Sequence, residues 1–68
     1  MTVIVNGEEV RVDADVTVAG VLARLGHQTA RGGIAVAVNG TVVPRSAWES
    51  TALAERDRLE ILGATQGG

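Results

Sequence analysis

Met1-Thr2-Val3-Ile4-Val5-Asn6-Gly7-Glu8-Glu9-Val10-Arg11-Val12-Asp13 is the stretch on which the architecture turns. Its first half is β-branched, as a pleated and half-buried surface prefers. Asn6-Gly7 comes next, and a type I′ turn needs positive φ at both central residues, which Asn and Gly tolerate best. Glu9 to Asp13 then alternates polar and apolar with the period of a strand that has one covered face. The segment is therefore a β-hairpin, and another element must cover its apolar face.

The cover is the neighbouring segment. Asp13 to Val16 is a short connection, and Thr17 is placed to cap a helix by accepting an orphan backbone N–H. Val18, Val21, Leu22 and Leu25 fall at i, i+3, i+4 and i+7, one apolar stripe of that helix. Gly26 stands where a left-handed residue ends it. Gly20 inside the helix costs about 1 kcal/mol relative to Ala, and close approach to the sheet is the expected reason. After a turn-rich loop from His27 to Gly33, Ile34-Ala35-Val36-Ala37-Val38 is a continuous apolar run, expected to be a buried central strand. Asn39-Gly40 marks a second tight turn. Thr41-Val42-Val43 is a short strand ended by Pro44, Arg45 to Trp48 a single helical turn, and Ala54 to Asp57 a polar turn. Arg58-Leu59-Glu60-Ile61-Leu62 is the last strand.

This order predicts an α+β roll: four or five strands in a mixed sheet with one main helix on one face. The first and last strands should lie side by side and parallel in the middle, since the intervening helix supplies the crossover that parallel neighbours need. Residues 1–62 form the expected globular domain and 63–68 a flexible tail. That tail, Gly63-Ala64-Thr65-Gln66-Gly67-Gly68, is small and uncharged, and glycine without a Cβ lets a backbone pass through a channel too narrow for side chains.

Composition narrows the function classes. A chain of 68 residues holds one domain and buries only about 60% of its unfolded surface. Its hydrophobic fraction of 46% is aliphatic apart from Trp48, which is expected to cap one end of the core. With no cysteine there is no disulfide, thiolate metal site, persulfide or thioester on any side chain. A net charge of −2, with six scattered arginines as the only Lys or Arg residues, argues against nucleic acid. The apolar runs are too short to span a membrane and no secretion signal is visible, so the expected setting is cytoplasmic. No phosphate-cradling loop is present, and the one histidine, His27, has no catalytic partner pattern around it. The chain is expected to bind no cofactor, to be a monomer alone and not to be an enzyme.

Four features together resemble a known family. They are the length with Gly67-Gly68 as a natural end, the run Ile34-Ala35-Val36-Ala37-Val38-Asn39-Gly40, the segment Val43-Pro44-Arg45-Ser46-Ala47-Trp48, and Asp57-Arg58-Leu59-Glu60-Ile61-Leu62 running into Ala64-Thr65-Gln66-Gly67-Gly68. The chain is similar throughout to the ThiS family, the bacterial sulfur carriers of thiamine thiazole biosynthesis, within the β-grasp, ubiquitin-like superfamily. The family places Gly before the Asp-Arg pair, where this chain has Arg56. The resemblance implies that an E1-like adenylyltransferase (ThiF-type) uses ATP to convert the Gly68 carboxylate to an acyl adenylate. It implies that a sulfur-donating persulfide enzyme then helps turn it into a thiocarboxylate, and that a thiazole synthase (ThiG-type) receives the sulfur. Gly67, Gln66, Thr65 and Ala64 would thread the partner's channel. If Val3 and Val5 point inward, alternation turns Ile4, Glu60 and Leu62 outward. Ile4, Leu62, one set of the Ala35 and Ala37 positions and Arg58 then form the candidate docking patch at the tail root. A β-grasp sulfur carrier of another pathway, such as molybdopterin, a ubiquitin-like modifier and a plain β-grasp interaction module are the alternatives left open.

Overall fold

The computed structural model of the chain describes residues 1–26 and 33–63. β1 (Thr2–Val5) and β2 (Glu8–Arg11) are antiparallel, with Val3 opposite Val10 and Val5 opposite Glu8. Asn6 and Gly7 both take positive φ, 50° and 88°, as the type I′ turn requires. Helix α1 (Val18–Arg24) is capped by Thr17, whose hydroxyl accepts from the Gly20 amide at 3.2 Å, and Gly26 turns the chain with φ 82°. β3 (Ile34–Val38) and β4 (Thr41–Val43) form a second hairpin through Asn39-Gly40, again with both φ positive. A 3₁₀ turn spans Arg45–Ala47, and β5 (Arg58–Gly63) closes the sheet.

The strands lie in the order β2-β1-β5-β3-β4, with β1 and β5 parallel and the other neighbours antiparallel. The last strand thus takes the centre of the sheet. β3, expected to be central and buried, lies one place from the edge, and only Val36 of its residues is buried. One helix covers one face, so alternate β3 residues meet solvent however apolar they are. β5 also runs through Gly63, opposite Ile34, one residue past the expected strand end.

The core gathers between the covered sheet face and α1. Leu22, Leu59, Val3, Val18, Val21 and Val36 are its fully buried members, and each contributes about 1.5–3 kcal/mol of transfer free energy. Trp48 closes the core beside β4: it is 3% exposed, and its indole N–H donates to the Val43 carbonyl at 2.8 Å. Leu53 joins the core from a segment that runs along the helix start, where Val18 N–H donates to Thr51 O and Leu53 N–H to Val16 O. Leu25 departs from the expected stripe. It sits at the helix C-cap, 38% exposed, because α1 ends one residue earlier, and it lines a depression with Val5 and Val10 at the edge of the sheet.

Gly20 has a different reason from the expected one. A Cβ there would lie 2.7 Å from Val16 Cγ2 and meet no sheet atom within 4 Å. The close neighbour is the chain entering the helix, not the sheet beneath it.

Candidate functional site

The sheet face opposite α1 is uncovered, and alternation decides what it displays. Ile4, Arg58, Glu60, Leu62, Ala35, Ala37 and Val42 all lie on it, fixed by the pairings Ile4↔Arg58, Ala37↔Glu60, Ala35↔Leu62 and Ala37↔Val42. Leu62 is 67% exposed and Val42 70%, two of the three large exposed hydrophobics among the described residues. Ile4, Arg58 and Leu62 of the predicted patch line one shallow depression together with Asn6, Gly7 and Glu60. A second depression shares Leu62 and continues over Gly33, Ile34, Ala35 and Gly63. The patch is therefore one surface reaching from β1 to the last described residue.

Sequence reasoning missed Val42. The signal was present, since Val43 packs partly buried against the core and its neighbour must then face out. It was hidden because a three-residue strand shows too little alternation to set its phase.

At the end of the patch, β1 has already turned away at Asn6-Gly7 while β5 continues to Gly63. The Asn6 side chain fills the gap. Its Nδ2 donates to the Ile61 carbonyl at 3.2 Å and its Oδ1 accepts from the Ile61 amide at 2.9 Å, while its own backbone N–H donates to Leu59 O at 2.9 Å. A primary amide offers the same donor and acceptor as a peptide unit, so the ladder gains one more step. Asn39 makes a different pair of bonds at the start of β5: its Oδ1 accepts from the Arg58 amide at 3.0 Å and its Nδ2 donates to the Asp57 carboxylate oxygen Oδ1 at 3.1 Å. The expected tail residues Ala64, Thr65, Gln66, Gly67 and Gly68, and His27, lie outside the described residues.

The comparison with known families is decided over nearly the full length: the ThiS family model matches residues 3–68. The chain belongs to the ThiS family. Similar solved structures include the crystal structure of the thiamine biosynthesis protein ThiS from Geobacter metallireducens, with TM-score 0.81 and 31% identity, covering 100% of both chains. The solution structure of a thiamine biosynthesis protein from the same organism superposes with TM-score 0.80 and 31% identity, over 100% of this chain and 88% of that one. Among curated proteins, a thiazole synthase of Paramagnetospirillum magneticum is 35% identical over 68 residues; these are 100% of this chain but 20% of that protein. The chain thus spans about a fifth of the length of the curated relative it matches. The β-grasp architecture expected of a ThiS-family chain is the one observed.

The departure from the ThiS-family pattern at Arg56 has a structural counterpart. Arg56 takes φ 68°, a left-handed conformation that glycine adopts freely and other residues rarely do. Its amide donates to Thr2 O, and its guanidinium lies 3.7 Å from Glu9, with both side chains well exposed. The turn thus holds a non-glycine residue in a left-handed conformation. Among the described residues no group of three metal-ligating side chains assembles and no helix is long and apolar enough to cross a membrane. What this surface offers chemically is recognition: an apolar band crossed by Arg58 and Glu60 on β5 and bordered by Glu9 and Arg11 on β2.

Proposed function

We propose that this ThiS-family chain is a sulfur carrier for thiamine thiazole biosynthesis, a co-substrate that partner enzymes act on. The observation that carries the reading is the position of the patch. Ile4, Leu62 and Val42 stand on the uncovered face, and Leu62 belongs to the same strand that leads into Gln66-Gly67-Gly68. Exposed apolar patches of this kind mark interfaces. A partner gripping them holds the chain a few residues from the end it would modify.

In this reading an E1-like adenylyltransferase binds the patch and draws Ala64 to Gly68 into its site. The Gly68 carboxylate attacks the α-phosphorus of ATP, and pyrophosphate leaves. The acyl adenylate has a good leaving group where the free carboxylate had none. A persulfide on the donor enzyme attacks the carbonyl carbon, AMP departs, and reduction of the sulfur–sulfur bond by a thiol leaves the thiocarboxylate. The carrier then delivers this nucleophile to thiazole synthase at high effective concentration, because the sulfur travels on a domain the synthase can recognise. The long thiazole synthase with a segment similar to this whole chain supports that partner.

The test is intact-mass analysis after incubation with an E1-like adenylyltransferase, ATP and a persulfide donor. A fraction of the chain should gain the mass difference between sulfur and oxygen. Removal of Gly68 should abolish the shift and leave the unfolding midpoint nearly unchanged. If the mass never moves with any adenylating enzyme, the chain is not a carrier. Growth of a thiazole auxotroph supplied with this chain identifies the pathway, and failure to restore it while the mass still shifts would point to another sulfur acceptor.

A further inference from the structure

The geometry points to Asn6 as a positioning residue for the carrier tail: its carboxamide stands in for the next peptide of β1 and fixes the direction in which β5 leaves the domain. This role rests on the carrier reading. Three observations support it. β1 ends at Val5 while β5 runs to Gly63, so the last residues of β5 lack β1 as a neighbour. Asn6 makes two hydrogen bonds to the backbone of Ile61, two residues before Gly63. It also lines the same depression as Ile4, Arg58 and Leu62, so the residue that holds the strand end is part of the surface a partner would grip.

The hairpin needs only positive φ at this position, and glycine supplies that. The amide therefore does something the turn does not require. A strand end paired on one side alone can swing in and out of the sheet plane, and every degree of swing at Gly63 is magnified along the residues beyond it. Insertion into a narrow channel then demands that a wider set of directions be narrowed at the moment of reaction, which lowers the fraction of productive encounters.

Asn39 provides an internal control. Its amide makes two bonds at the opposite end of β5, to the Arg58 backbone N–H and the Asp57 carboxylate, and it too sits in a tight turn with φ 51°. Loss of either amide removes two hydrogen bonds from the fold, but only Asn6 bonds the half of β5 that ends at Gly63.

The experiment compares Asn6→Gly, Asn6→Asp and Asn39→Gly with the unaltered chain, well below their unfolding midpoints. In Asn6→Gly, amide exchange at Ile61 should accelerate about tenfold or more and the 15N order parameters of Leu62 and Gly63 should fall. The kcat of adenylation should drop about tenfold with a smaller rise in KM, because Asn6 borders the gripping patch while Ile4, Arg58 and Leu62 keep their side chains. Asn6→Asp keeps the acceptor for Ile61 N–H and should fall between. Asn39→Gly should loosen Arg58 and leave Leu62, Gly63 and kcat as they were. Unchanged order parameters at Leu62 and Gly63 in Asn6→Gly overturn the role, whether or not the unaltered chain is adenylated. Equal losses of kcat in Asn6→Gly and Asn39→Gly overturn it too, by showing a general effect of stability. An unaltered chain that no enzyme adenylates refutes the carrier reading by itself, while the exchange and relaxation results still decide what Asn6 holds.

Discussion

Replacing Gly20 by Ala sets two effects of opposite sign against each other. In a solvent-facing helix the substitution stabilises by about 1 kcal/mol, because glycine loses more backbone freedom on folding. Here the new Cβ would lie 2.7 Å from Val16 Cγ2, whereas carbon atoms pack best at about 3.5–4.0 Å. Val16 has little room to yield. Its side chain is β-branched and stiff. Its backbone is tied at both ends, donating to Asp13 O at 3.2 Å and accepting from Leu53 N–H at 3.1 Å. Forcing a methyl group into such a site costs about 1–3 kcal/mol, so the balance is a net loss of about 1 kcal/mol. For a domain of this size that lowers Tm by about 4–8 °C. Urea unfolding followed by Trp48 fluorescence and far-UV circular dichroism measures the change, provided the slopes agree. The Val16→Ala background removes Cγ2. Gly20→Ala should then recover its helical gain, and the double-mutant cycle should show a coupling of about 1–3 kcal/mol. A Gly20→Ala protein more stable than the parent, with an effect that ignores residue 16, would refute the steric account.

Other perturbations test other parts of the molecule. Arg56→Gly should raise stability by about 0.5 kcal/mol, since relief of a left-handed residue is worth about 1–2 kcal/mol and is partly offset by the entropy of glycine in the unfolded chain; calorimetry that finds a clear loss would mean the turn is unstrained. The exposed ion pair to Glu9 contributes little either way. Trp48→Phe leaves the Val43 carbonyl without its indole donor and should cost about 1–3 kcal/mol in thermal unfolding followed by circular dichroism; a neutral result would show that water replaces the donor. Leu62→Asp and Val42→Asp should each leave stability within about 0.5 kcal/mol and raise the KM for adenylation about tenfold. An unchanged KM in both would place the docking surface elsewhere.

Local chemistry made much of this fold legible. Each Asn-Gly pair announced a turn that only positive φ permits, and both turns formed where the pairs stand. Thr17 capped the helix, and Val3, Val5, Leu59 and Ile61 took the inward positions that alternation assigns. Ile4, Leu62 and Arg58 were placed on one surface by the same periodicity, because a two-residue repeat needs no knowledge of what lies across the sheet. Where the expectation and the structure differ, a neighbour distant in sequence intervened. Leu25 kept the helical period but fell at the C-cap, at the edge of the sheet beside Val5 and Val10 rather than in the core. Ile34 to Val38 had the composition of a strand buried on both faces, yet a single helix can shield only one.

The amino-acid order alone determined the hairpins, the helix and the inward and outward faces, because turns, caps and side-chain periods are set by residues a few positions apart. Tertiary structure decided the rest. It brought the last strand to the centre of the sheet and, through Leu53, held Val16 against Gly20. It also turned the Asn6 and Asn39 amides into rungs beside β5, since those contacts exist only once residues 18 or more apart are packed together. A hydrogen-bonding side chain carries no mark in the sequence of which distant backbone it will satisfy, and only the closed sheet leaves a gap of the size of one amide.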